Sequence, residues 1–136
     1  MEKFTLDEVK AIRAEMAKAM KDIEAKYNCK FNVGNIRYSS NVEGKFEFAK
    51  VVDTEHGALS LTKEALAFIA NATSFGLNKS VLGEKLVHLG ETYVITGYNS
   101  RSSKYPILYD KNGKSYKCSV DRMKQFVKSS RPEFFL

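Results

Sequence analysis

Residues 97–117 read GYNSRSSKYPILYDKNGKSYK, and the pairing they imply sets the architecture of the C-terminal half of the chain. Asn112-Gly113 signals a two-residue type I′ turn, because both central positions need positive φ and Asn-Gly tolerates it best. Pivoting there, Lys111 faces Lys114, Asp110 faces Ser115, Tyr109 faces Tyr116, Leu108 faces Lys117 and Ile107 faces Cys118. Directly opposed residues share a sheet face. Ile107, Cys118, Tyr109 and Tyr116 therefore form an inward side, with Leu108 and Lys117 on the reverse. The same stretch holds five basic residues, four tyrosines and one acid, Asp110. Lys111 and Lys114 meet at the tip as a like-charge pair costing up to about 1 kcal/mol. Two roles fit such a pair: protecting a sheet edge against stray pairing, or bridging a phosphate.

Working outward, EKLVHL (84–89), ETYVITGY (91–98), KYPILY (104–109) and KSYKCS (114–119) are short strands. Turns at Leu89-Gly90, at 99–103 and at Asn112-Gly113 separate them. VDRMKQFV (120–127) is a short helix capped by Ser119. Short strands at this spacing, closed by a helical turn, predict a small SH3-like barrel.

The N-terminal half reads differently. FTLDEVKAIRAEMAKAMKDIEAKYN (4–28) is an amphipathic helix with a Thr5–Glu8 capping box and a Phe4–Val9 staple. Leu6, Val9, Ile12, Met16, Met20, Ile23 and Tyr27 form its apolar stripe, opposite a solvated face of mixed charge. In FNVGNIRYSSNVEGKFEFAKVV (31–52) the apolar alternation slips at Gly34-Asn35, which predicts a bulge in a two-stranded hairpin lying on that helix. DTEHGALS (53–60) reads as loop. LTKEALAFIANATSFG (61–76) reads as a second helix, capped by Thr62, stopped by Gly76, and turning Leu66, Ile69 and Thr73 inward. The expected fold class is α+β. An αββα lobe, residues 1–77, packs on a small SH3-like barrel, residues 78–136, and the first helix is the main core element. The apolar tail RPEFFL (131–136) folds back on its own domain in preference to serving as a docking peptide.

Charge divides the chain the same way. Residues 1–77 carry eleven Lys/Arg and eleven Asp/Glu, whereas 78–136 carry eleven and five, so the whole net charge of +6 lies in the second part. That asymmetry points to an anionic partner. No apolar run is long enough to span a bilayer, and no secretory signal heads the chain. No membrane partner is expected, and the expected compartment is cytoplasmic. Two cysteines 89 positions apart read as buried, reduced thiols. His56 and His88 have no Cys, Asp or His at metal spacing. Neither a nucleophile elbow, a P-loop nor a Gly-x-Gly-x-x-Gly motif is present. Acid pairs such as Glu43 with Glu47, or Asp53 with Glu55, sit on strand or loop edges. No enzyme activity and no cofactor are expected.

AKYNCKFNVGNIRY (25–38), FGLNKSVLGEKL (75–86) and YVITGYNSRSSKYPILYDKNGKSYK (93–117) resemble small phage and prophage accessory proteins. Those pair a helix-hairpin-helix lobe with a C-terminal SH3-like barrel. The resemblance implies a phage or mobile-element setting and a host-cell location. It also implies roles in modulating host machinery or host defence, anti-CRISPR roles among them.

The candidate site follows from the basic stretch. Arg101, Lys104, Lys111, Lys114 and Lys117 are donors for phosphate oxygens, and Arg122, Lys124, Lys128 and Arg131 continue the positive run. Tyr98 and Tyr105 are candidates for stacking on unpaired bases. The leading expectation is a non-catalytic protein that binds nucleic acid, or a host nucleoprotein complex, through a single basic barrel face. The alternative is a protein-binding inhibitor of a host nuclease or defence system that uses the same face. A structural phage component, assembling through the tail, is the third reading. Packing tyrosines and merely solvated lysines would account for the same residues without any partner.

Overall fold

The computed structural model describes residues 2–54 and 57–136. The chain forms two compact units that divide between Val51 and Val52. The first contains helices α1 (Leu6–Ala19) and α2 (Lys21–Tyr27), strand β1 (Cys29–Tyr38) and most of β2 (Val42–Thr54). The capping box is formed: the Glu8 N–H donates to Thr5 Oγ1 (3.2 Å) and the Thr5 N–H to Glu8 Oε1 (2.9 Å). The helix expected to run unbroken to Tyr27 is interrupted at Met20, whose N–H is shared between the Met16 and Lys18 carbonyls. Asn28 then ends α2 in the left-handed region at φ 49°, which asparagine enters more readily than other side-chain-bearing residues.

Strands β1 and β2 pair antiparallel with Phe31 opposite Phe48, and the register shifts between Val33 and Ile36, at the expected bulge. A bulge leaves ladder carbonyls unpaired. The Arg13 guanidinium satisfies two of them, donating to the Val33 and Gly34 oxygens at 3.1 and 2.9 Å. Phe31, Phe46 and Phe48 pack as a ring cluster with centroids 5.1 to 6.1 Å apart. Of the expected apolar stripe Val9 is buried, while Leu6 of α1 and Ile23 and Tyr27 of α2 stay exposed. The first helix is therefore not the main core element.

That core lies in the second unit. Its elements are β3 (Gly57–Leu61), α3 (Lys63–Asn71), β4 (Lys85–His88), β5 (Glu91–Tyr98), β6 (Ile107–Lys111), β7 (Lys114–Cys118) and α4 (Val120–Ser130). Within the expected loop over 53–60, Asp53 and Thr54 end β2 and residues 57–60 belong to β3. The readings made for Glu55 and His56 lie outside the described residues. Strands β4-β5-β6-β7 form an antiparallel meander in that order. All five β6–β7 pairs match the expected register. Both two-residue turns have the positive φ pair that type I′ requires, 52° and 79° at Leu89-Gly90 and 53° and 75° at Asn112-Gly113.

The expected barrel does not close: β4 and β7 remain edge strands. A helix supplies the cover that further strands would have given. Phe126 of α4 stacks on Tyr93 (centroids 4.0 Å, 13°) and meets Tyr109 edge-on (5.7 Å, 69°). Ala65, Phe68 and Ala72 join Leu86, Ile95, Ile107, Met123 and Phe126 in one buried cluster. The expected αββα lobe with a boundary at residue 77 is thus corrected, because α3 is buried with the second unit's sheet. Its inward face is also corrected. Ala65, Phe68 and Ala72 are buried, whereas Leu66 and Thr73 are exposed and Ile69 is half-buried. Small residues allow α3 to lie close on β5, and Gly97 completes the fit. A Cβ there would sit 2.6 Å from Glu64 Cβ and 2.9 Å from the Glu64 carbonyl carbon. Gly97→Ala is expected to destabilise the second unit by about 1–3 kcal/mol through overpacking against backbone. A urea midpoint equal to that of the parent protein would contradict this close approach.

The tail folds back as expected. The Asn78 N–H donates to the Phe134 carbonyl (2.8 Å), the Leu136 N–H donates to the Gly76 carbonyl (3.0 Å), and Leu77 bridges Phe135. Among the described residues, no helix is long and apolar enough to cross a membrane.

Candidate nucleic-acid interface

The turn lysines do not form the uncompensated pair that the sequence suggests. Lys111 Nζ lies 2.7 Å from Glu91 Oε2 and 5.5 Å from the centre of the Tyr93 ring. The Tyr93 hydroxyl donates to the same Glu91 oxygen at 3.0 Å. The hydrogen bond from Lys111, followed by that from Tyr93, holds the Glu91 carboxyl below its ordinary value, and the same ion pair raises Lys111. A lowered carboxylate contributes stability that is present above the ordinary glutamate value and is lost as pH falls through the folded one. Carboxyl chemical shifts should therefore place the Glu91 titration below that of exposed glutamates, and Lys111→Ala should move it upward. An unmoved titration would show that the pair does not form in solution.

The strand register locates the remaining cations. Tyr98 faces Ile107 and Ile107 faces Cys118. The loop 99–106 and the β7–α4 junction therefore share one end of the sheet, and the hairpin tip lies at the other. Five residues of β6 separate them, about 14 Å at the usual strand rise. Arg101 and Lys104 are thus not gathered with Lys111 and Lys114 on a single wall. The second edge strand, β7, connects the two ends instead. By alternation Lys114 and Tyr116 share the Cys118 side, while Lys117 lies on the Leu108 side.

Among the described residues, Arg101, Lys104, Lys114, Lys117, Lys124 and Lys128 make no ion pair. Arg122 lies over the Phe126 ring (5.1 Å) and donates to Gln125 Oε1 (2.9 Å), so its charge too is unneutralised by a carboxylate there. Arg131 differs, being bonded to Glu133 Oε1 (2.6 Å) and Glu84 Oε2 (3.3 Å).

The aromatic candidates sort differently. Tyr98 is half-buried with its ring edge-on to Phe75 (5.1 Å, 76°), so it is committed to the core and not available for stacking on a base. Tyr105 is 48% exposed, with Lys104 Nζ 5.4 Å from the ring centre. Tyr116, which sequence reasoning placed at the inner side, is 42% exposed and stacks on Tyr109 (5.6 Å, 22°). It ends a ladder of rings running through Tyr109 and Phe126 to Tyr93. The pairing Tyr109–Tyr116 was legible; its exposure follows from β7 having no strand beyond it.

A cavity of about 170 Å³ opens beside the same loop, lined by Lys63, Glu64, Ala67, Tyr98, Asn99, Ser100 and Arg101. Asn99 shapes it. Its N–H donates to the Pro106 carbonyl (2.7 Å), its carbonyl accepts from the Ser102 N–H (3.2 Å), and its Oδ1 accepts from the Arg101 N–H (3.1 Å). Elsewhere, His88 Nδ1 bonds Ser129 Oγ at 2.7 Å, as a strand residue tied to α4. Burial pushes the Cys118 thiol up to about 11, which leaves it protonated and unreactive near neutral pH.

A family model described as the Y4mA C-terminal domain matches residues 64–132, just over half of the chain. The chain belongs to that family. No curated protein and no solved structure matches it. The Y4mA C-terminal domain match opens in the first turn of α3 and ends just beyond α4. It thereby takes in the meander and both helices that cover it, in keeping with the burial of α3 in the second unit. The matched span also includes every candidate residue named above from Tyr98 to Arg131.

Proposed function

We propose that the second unit of this Y4mA C-terminal domain protein binds single-stranded nucleic acid without catalysis. The strand follows the β7 edge and ends at the loop 99–106. Lys114, Lys117, Arg122 and Lys104 supply donors to the phosphates, with Lys124 and Lys128 adding field from α4. Tyr116 and Tyr105 offer exposed ring faces to unpaired bases. One observation carries the reading: these cations lack carboxylate partners among the described residues, whereas Lys111 and Arg131 have them. These cations also lie in the part of the chain that holds the whole net charge of +6, residues 78–136 with eleven Lys/Arg against five Asp/Glu, and such a field favours an anionic partner. In the phage or mobile-element setting that the resemblance implies, such a protein would engage host or invading strands. The test is fluorescence anisotropy with a labelled single-stranded oligonucleotide across a salt series. Expected is saturable binding at low salt that weakens steeply as salt rises; no binding at low salt overturns the proposal.

A further inference from the structure

We infer that the aromatic face of the β1–β2 hairpin, in the first unit, is an interface at which two copies of this chain associate. The inference is independent of strand binding by the second unit. The register sets Phe46 and Phe48 opposite Val33 and Phe31, and beyond the bulge sets Ile36 and Tyr38 opposite Gly44 and Val42. Directly opposed residues share a sheet face, so these side chains make one apolar surface. Helices α1 and α2 pack on β1, and β2 keeps its rings in solvent. Phe46 is 65% exposed and Phe48 39%, against 9% for Phe31. The Phe4 N–H donates to the Ser39 carbonyl (2.7 Å) and so starts α1 beside Tyr38. There Tyr38, 41% exposed, and Leu6, 53% exposed, extend the surface. Single exposed apolar residues are ordinary, but a contiguous group marks an interaction site.

Charge and area select a second copy as the occupant. Glu43, Lys45 and Glu47 alternate onto the reverse face of β2, so from Val42 to Phe48 the aromatic face carries no charge. It offers no donor to a phosphate and no sign for a charged partner to complement, and apposing two such faces brings no like charges together. A whole aromatic side chain buries about 200 Å². On that scale Phe46, Phe48 and Tyr38 expose roughly 300 Å², and Leu6 with the half-buried Ile36 and Val42 brings the patch to about 400 Å². An isologous contact uses the patch twice. At the roughly 65% apolar share of homodimer interfaces, that gives about 1,200 Å² in total, the lower bound of a standard interface. The first unit also encloses little apolar surface of its own: among its described residues Val9, Phe31 and Ala49 are buried. Small units of this kind commonly complete their burial by oligomerising.

Sedimentation equilibrium of the intact chain from about 1 to 500 µM tests the interface. Expected is a reversible monomer–dimer equilibrium within that range. Phe46→Ser, which removes the central ring, should weaken association by about thirtyfold. Should that variant disturb the ring cluster, Tyr38→Lys lies outside it and should weaken association by placing like charges in the contact. A single monomeric species at the highest concentration overturns the proposal. So does a dimer that neither variant weakens, which would put the contact elsewhere, for example at the tail. A monomer that binds a hydrophobic dye through Phe46 would assign the face to a different partner and overturn the second copy as its occupant. None of these outcomes bears on strand binding, which the anisotropy titration reads separately.

Discussion

Phe126→Ala is expected to lower the stability of the second unit by about 3–5 kcal/mol, the usual cost of truncating a buried phenylalanine. Phe126 is 1% exposed. Its ring stacks on Tyr93, meets Tyr109 edge-on and lies 5.5 Å from His88. Removing it leaves a void among three rings anchored on different strands, with little freedom to collapse inward. Small domains hold only about 5–15 kcal/mol in total, so the variant should stand close to its unfolding transition at room temperature. Phe126→Leu keeps most of the apolar bulk and should cost less. Denaturant unfolding followed by tyrosine fluorescence reads both. A loss below about 1 kcal/mol would mean that α4 is not part of the core, and that the open meander is covered in some other way.

The second large effect concerns binding. Replacing Lys114 and Lys117 together by alanine should flatten the plot of log affinity against log salt by about 1.4, two single-strand phosphate contacts at roughly 0.7 each. Between about 50 and 200 mM salt the variant should therefore lose roughly sevenfold less affinity than the parent protein. Lys111→Ala should change the slope by less than one contact, because its ammonium is already held by Glu91. This separates two tip lysines that the sequence treats alike. An unchanged slope in the double variant would remove β7 from the interface.

The tip lysines also show where sequence reasoning reaches its limit. The β6–β7 register was legible because Asn112-Gly113 fixes a two-residue turn, after which every cross-strand pair follows from alternation. The bulge in β1 was legible from a break in period at Gly34-Asn35, and the Thr5, Thr62 and Ser119 caps from residue type and spacing. Each of these is a local property. The Glu91–Lys111 pair is not. It depends on the β5–β6 register, which contains a shift between Ile95 and Gly97 that no turn residue announces.

The face of α3 was misread for a similar reason. Leu66, Ile69 and Thr73 form a plausible stripe, but Gly97, far along the chain, admits the helix so closely that the alanines turn inward. Closure of the barrel was overestimated because a helix carrying one well-placed phenylalanine replaces further strands, and the β-strand pattern is the same in either case. Of the site, the cations were readable from composition. Which of them are neutralised, and which tyrosines remain exposed, depended on tertiary partners.

The most direct test is a backbone amide map of the ¹⁵N-labelled chain titrated with a single-stranded oligonucleotide at low salt. The account predicts saturating shifts concentrated at residues 101–105, 114–119 and 122–124, with those around Lys111 and Arg131 moving least. Shifts scattered evenly over both units, or confined to residues outside β7, α4 and the loop 99–106, would contradict it.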